Sequence, residues 1–113
     1  MACIDSQCVE EFLPGGWGPE VQATVDDQAL FTSEDVLEEF GLDLEDITAI
    51  AYRSQTVAGF NYIVKYRSTN LDGETVYFLA RLFEPLPFTG EPVEVFAMSF
   101  NNVTESSSIP SFI

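Results

Sequence analysis

At Ile47 the texture of the chain changes to a period of two, and this change constrains the fold more than any other property of the sequence. The run 47–56 is rich in Ile, Ala and Tyr, and 60–68 sets Tyr62, Val64 and Tyr66 against Ile63, Lys65 and Arg67. A third run, 75–84, sets Val76, Phe78, Ala80 and Leu82 against Tyr77, Leu79, Arg81 and Phe83; a fourth, 92–101, places Val93, Val95 and Ala97 opposite Glu94. Alternation of this kind is the side-chain pattern of a pleated strand. Asn70-Leu71-Asp72-Gly73 is a turn between the second and third runs, and Gly59, free to adopt positive φ, closes the first hairpin. Four consecutive hairpin-connected strands after a helix describe an α+β roll: one N-terminal α-helix packed on a four- to five-stranded antiparallel meander.

The helix belongs before Ile47. Residues 1–18 read as irregular, with Pro14-Gly15-Gly16-Trp17-Gly18-Pro19 as a dense cluster of breakers. Pro19 suits the first turn of a helix, with acidic Glu20 beside it. Val21, Val25 and Ala29 recur at four-residue spacing and predict one apolar stripe. Thr32 or Ser33 is placed to cap a second stretch, with Asp35 reaching back and Val36 and Phe40 as its apolar pair. Gly41 ends it. The expectation is a helix from Pro19 to Phe40, kinked or interrupted near Thr32.

Composition narrows the function. With 113 residues the chain reads as a single domain, 1–113, of which 1–12 form a flexible leader. Hydrophobic content of 46% argues for a folded globule and against a disordered acidic tail. Four basic residues against nineteen acidic ones leave a net charge of −15, which excludes the basic stripe that nucleic-acid binding needs. No apolar run approaches the ~18 residues of a membrane span. The start lacks a basic region followed by an apolar one, so no secretory signal is read and the protein is expected in the cytoplasm. Cys3 and Cys8 then read as free thiols, too close together and too near the terminus to staple a core. Asn102-Val103-Thr104 is a glycosylation sequon without meaning in that compartment.

Thirteen acidic residues and no basic one precede Arg53, so charge is segregated along the chain. The helical carboxylates read either as a solvated face or as a docking surface for a basic partner. They lack the Asp-x-Asp-x-Asp-Gly spacing of a calcium loop, so neither a metal nor another cofactor is expected. The chain contains no His, which removes the usual general base and the partner of a Ser or Cys nucleophile. Cys3 and Cys8 have no cationic neighbour in sequence to lower a thiol pKa. An enzyme is not expected.

The first hairpin carries the functional signal. Its tip, Gln55-Thr56-Val57-Ala58-Gly59, is apolar where an ordinary tip is polar, and exposed apolar surface of this kind implies a partner that covers it. Tyr52 and Gln55 before the tip, and Gly59, Asn61 and Tyr62 after it, complete a stretch that resembles the cystatin family of cysteine-peptidase inhibitors. That family's first inhibitory hairpin reads Gln-x-Val-x-Gly before an aromatic-rich strand, and Gln55, Val57 and Gly59 occupy the three positions. Within the family the chain looks most like the stefin branch, which is small and lacks signal peptide and disulfides. The resemblance covers roughly residues 13–113 and is sharpest across 52–66.

The resemblance implies a partner, a papain-like cysteine peptidase, and a wedge of three parts that enters its cleft. Leu13-Pro14-Gly15-Gly16 is similar to the stefin N-terminal segment, with Gly15 as hinge and Leu13 and Pro14 entering the non-primed subsites. Gln55, Thr56, Val57, Ala58 and Gly59 form the first hairpin. Leu86-Pro87, followed by Phe88, lies where the second hairpin tip belongs. Two features depart from the stefin pattern: the leader before Leu13, and a link of only Trp17 and Gly18 between the di-glycine and the expected helix start at Pro19. Alternatives stay open for the individual groups. Gly15-Gly16 also reads as a plain linker, Leu86-Pro87-Phe88 as an ordinary turn with a packing aromatic, and Trp17 as a core or edge-packing residue. A non-inhibitory interaction module or accessory subunit on a cystatin scaffold is the alternative for the whole chain. A monomer is expected, with a domain-swapped dimer as the second state.

Overall fold

A computed structural model describes residues 16–41, 44–111 and 113. The chain forms strand β1 (Val21–Gln22), helices α1 (Val25–Phe31) and α2 (Glu34–Phe40), and strands β2 (Glu45–Val57), β3 (Gly59–Thr69), β4 (Thr75–Glu84) and β5 (Glu94–Ser99). The five strands make one sheet in the order β1-β2-β3-β4-β5, and every neighbouring pair is antiparallel. Each strand therefore pairs with the one before it in sequence. This is the expected meander, with helices on one face, and the fold is the α+β cystatin-like roll.

Alternation sorts the side chains onto two faces. Val64 and Tyr66 of β3 and Phe78, Ala80 and Leu82 of β4 point to the helices, where Phe31, Val36 and Phe40 complete the main core. Aromatic rings meet there edge to face: Phe31 lies 5.0 Å from both Tyr52 and Tyr62, and Phe40 lies 5.2 Å from Tyr66. The Tyr66 hydroxyl donates to the Phe31 carbonyl at 2.7 Å, so the last turn of α1 is bonded to the middle of the sheet. On the opposite face Ala51, Ile63 and Leu79 form a second, smaller core with Ile109 of the C-terminal segment. Ala49 and Ala51 belong to different cores because the β2–β3 register slips between them, which reverses the side-chain alternation.

The helical region departs from the expectation. Residues 19–24 are not helical: Val21 and Gln22 pair with Tyr52 and Ala51, and the first helix begins at Val25. Thr24 caps it, its Oγ1 accepting from the Asp27 amide at 3.3 Å while Asp27 Oδ2 accepts from the Thr24 amide at 2.8 Å. The local cap and edge pairing with β2 outweigh the suitability of Pro19 for a first turn. The apolar stripe fails for the same reason, since Val21 is 42% and Val25 88% exposed. Phe31 is the buried residue of α1, and the Gln28 side chain docks it on β2 by donating to the Ala49 carbonyl at 2.7 Å and accepting from its amide at 3.0 Å.

The interruption near Thr32 is present, and Val36 and Phe40 are buried as expected. Gly41 ends α2 in the left-handed conformation at φ 52°. Ser33, not Thr32, is the cap residue of α2, and it makes no side-chain capping bond. No described helix is long and apolar enough to cross a membrane.

Candidate functional site

Register brings three segments to one end of the sheet. Strand β2 runs toward the tip and β3 returns from it, pairing Val57 with Gly59 and leaving Ala58 alone at the apex. Strand β4 runs back alongside β3 and pairs Glu84 with Phe60, so the loop beginning at Pro85 emerges beside the hairpin tip. On the other side of β2, Trp17 forms a bridge with Gln55, and the Gly18 amide donates to the Ser54 carbonyl at 2.8 Å. Antiparallel pairing at Trp17 puts Gly16 on the side of the tip. The sequence-predicted Gly16, Gln55–Gly59 and Leu86–Phe88 thus share one end of the molecule. Leu13, Pro14 and Gly15 lie outside the described residues, as does the leader.

The link between the di-glycine and the helix is longer than expected. With α1 beginning at Val25, residues 17–24 separate Gly16 from the helix and run along the edge of β2. The short link expected from Pro19 therefore disappears, because it rested on a helix start that the chain does not use.

Each tip is held by specific local contacts. Gly59 has φ 128°, and a β-carbon there would lie 2.6 Å from the Glu84 carbonyl oxygen and 2.8 Å from Phe83 Cζ. Both the conformation and the space require glycine. Gln55 is a half-buried cross-strand partner, its Oε1 accepting from Asn61 Nδ2 at 2.8 Å. In the second loop the Leu86 carbonyl accepts from the Thr89 amide at 3.0 Å and the Thr89 hydroxyl at 2.8 Å, and Pro87–Thr89 form a single 3-10 turn. Gly90 ends it at φ 71°.

What the tips present to solvent is apolar. Val57 is 43% and Phe88 84% exposed, Thr56, Ala58 and Pro87 are exposed, and Leu86 is half-buried. No charged residue occurs in 54–60 or 85–90, although the chain carries a net charge of −15. Glu84, beside the tip, accepts from the Tyr62 hydroxyl at 2.9 Å. Burial first, and the bond to Glu84 second, hold the Tyr62 hydroxyl well above the usual tyrosine range. The carboxylates of Glu45 and Asp46 stand at the start of β2, the end of the strand remote from Val57. Among the described residues no cluster of His, Cys, Asp or Glu could hold a metal ion. The arrangement presents an apolar surface whose two tips carry no charged residue.

Two contributors escaped the sequence reading of the site. Trp17, read as core or edge-packing, pairs with Gln55 through its backbone, and residue-level patterns do not record such a bridge. Asn61 belongs to the flanking Gly-x-Asn-Tyr pattern, but its bond to Gln55 follows only from register.

No protein-family model matches the chain. Direct comparison finds relatives. The chain is 30% identical to cystatin-A1 from Sus scrofa over 88 residues, covering 76% of this chain and 82% of the relative. It is 32% identical to cystatin-A from Bos taurus over 77 residues, covering 66% of this chain and 74% of the relative. A five-stranded antiparallel meander with its helices on one face, and a likeness that spans most of both relatives, have one conclusion: the chain belongs to the cystatin family and is stefin-like within it.

Proposed function

We propose that this protein is a reversible, tight-binding inhibitor of papain-like cysteine peptidases and is not itself an enzyme. The observation that carries the reading is the convergence of Gly16, the Val57 hairpin and the Phe88 loop at one end of a strongly acidic molecule, where the two tips are exposed, apolar and without a charged residue. Val57, Ala58, Leu86, Pro87 and Phe88 would enter the active-site cleft on either side of the catalytic Cys of the enzyme. Leu13, Pro14 and Gly15 would continue the edge into the non-primed subsites. A wedge that occludes the cleft without placing a peptide bond in cleavable register blocks substrate and is released intact.

Rigidity supports tight binding. The Gln55–Asn61 bond, the close packing of Gly59 on Glu84 and the Leu86–Thr89 turn hold the tips before any partner arrives. Little ordering is left to oppose association, and a few buried apolar anchors supply most of the affinity. Residence in the cytoplasm fits this reading, since Cys3 and Cys8 are the two cysteines of the chain and lie too close together to staple its core.

Titration against papain with a small fluorogenic substrate tests the proposal. Competitive inhibition that reverses on dilution, with slow dissociation, is the expected result. No inhibition at micromolar protein overturns it and leaves a non-inhibitory interaction module on this scaffold.

A further inference from the structure

The C-terminal segment crosses the sheet on the face opposite the helices, and its contacts there include Trp17 and Glu20. Ile109 is 4% exposed and packs with Ala51, Ile63 and Leu79, while Trp17, Val103 and Ile113 pack around this cluster. The backbone of Ile109 is held from both sides. Its amide donates to Glu20 Oε1 at 3.0 Å, and its carbonyl accepts from Arg53 Nη1 at 3.2 Å. Arg53 also donates through Nε to the Gly18 carbonyl at 2.8 Å. One guanidinium and one carboxylate therefore tie the tail to the N-terminal edge. Farther along, the buried Lys65 donates through Nζ to the carbonyls of Glu105 and Ser107, which fixes the tail at a second point.

The N-terminal edge needs such support. Beside β2 it has a two-residue strand, one isolated bridge at Trp17 and single backbone bonds from Gly18 and Ala23. A terminal segment so briefly paired is poorly ordered unless something ties it down. The charge-assisted bonds of Arg53 and Glu20, together with the Trp17 contact on the tail cluster, supply the tie.

We infer that the C-terminal segment is a strap that positions the N-terminal arm of the inhibitory wedge, with Arg53 and Glu20 as the positioning residues. Neither side chain belongs to the wedge itself. They act by fixing residues 17–20, the stretch through which the arm joins the fold. The positioning role rests on the inhibitor reading; the strap does not.

The chain has one tryptophan, Trp17, and it lies inside the strapped cluster, so its emission reports on the strap without reference to any peptidase. Three variants are compared with the unmodified chain. Arg53→Met keeps the aliphatic stem and removes the donors, Glu20→Ala removes the acceptor, and Glu20→Gln restores one. Each is measured for Trp17 emission, acrylamide quenching and papain inhibition, in the full chain and in a chain lacking residues 1–14. Arg53→Met and Glu20→Ala should shift emission to longer wavelength, raise quenching and weaken inhibition by the full chain by about five- to tenfold. In the chain lacking 1–14 the same substitutions should leave inhibition unchanged, because no arm remains to be positioned. Glu20→Gln should behave as the unmodified chain. Unchanged Trp17 signals in both damaging variants overturn the strap. Equal losses of inhibition in both backgrounds, or none in the full chain, overturn the positioning role. Absence of inhibition by the unmodified chain overturns the inhibitor reading and the positioning role together, while the fluorescence still decides the strap.

Discussion

Gly59 lies so close to Glu84 that a β-carbon on the glycine would stand 2.6 Å from the glutamate carbonyl oxygen. The contact joins the tip of the β2–β3 hairpin to the end of β4, where the second loop begins. It sets the spacing of the two apolar tips, and it explains why the third fixed position of the Gln-x-Val-x-Gly pattern admits no side chain.

Gly59→Ala should therefore damage fold and function together. Positive φ for a residue with a β-carbon and an overpacked contact together predict a loss of about 2–4 kcal/mol of stability. Chemical denaturation measures the first effect and the papain inhibition constant the second. An unchanged denaturation midpoint would mean that the backbone approach at Glu84 is not as close as described.

Val57→Asp should separate the two properties. Val57 is 43% exposed at the tip, so a charge there leaves folding almost untouched. In a dry contact the same charge is unpaired and should cost at least ~2 kcal/mol of binding, roughly thirtyfold in the inhibition constant. Lost stability with unaltered inhibition would place Val57 in the core and contradict the register of the hairpin.

Deleting residues 1–14 should weaken inhibition by roughly ten- to a hundredfold with the fold intact, the scale of burying one leucine side chain. The loss should differ between peptidases, because Leu13 would occupy a pocket that varies among them. An inhibition constant equal to that of the full chain across several peptidases refutes the N-terminal contact and leaves a wedge of two loops.

Alkaline pH should destabilise the protein through its buried tyrosines. Burial raises the Tyr66 hydroxyl far above the ordinary value of 10.0, and burial with Glu84 does the same for Tyr62. The stability carried by such a raised group is complete below the unfolded pKa and is lost as pH climbs toward the folded one, since only the unfolded chain releases the proton. Stability should hold up to pH ~9 and then fall, Tyr66 adding about 1.4 kcal/mol per pH unit above pH ~10. Tyr66→Phe should lower stability at neutral pH by about 1 kcal/mol, through loss of its bond to the Phe31 carbonyl, and flatten the alkaline slope. An alkaline slope identical in Tyr66→Phe and the unmodified chain would show that Tyr66 does not contribute.

Much of the sheet was legible because period-two alternation is a local signal. The runs expected at 60–68 and 75–84 lie within β3 and β4, which span Gly59–Thr69 and Thr75–Glu84, and the Asn70 turn joins them. Asn70 Oδ1 accepts from the amides of Asp72 and Glu74, each at 2.9 Å, which is turn chemistry written in the residue itself. The helix start was also written locally, in Thr24 and Asp27, but the Pro19 signal and the spacing of Val21, Val25 and Ala29 pointed elsewhere. Spacing alone cannot say whether a residue sits on the helix at all. Val21 sits on a strand.

The sequence by itself determined the alternation of the strands, the residues that must turn, the neutral apolar tips and the family likeness around Gln55–Gly59. Each of these depends on neighbours within a few positions, where propensity and steric limits act directly. Tertiary structure decided which segments meet. It paired Trp17 with Gln55, set Gly59 against Glu84 and bound Ile109 to Arg53 and Glu20 across 56 and 89 positions of chain. Such meetings are chosen by sheet register and by the burial of whole faces, quantities that belong to the assembled chain and that no single stretch of it contains.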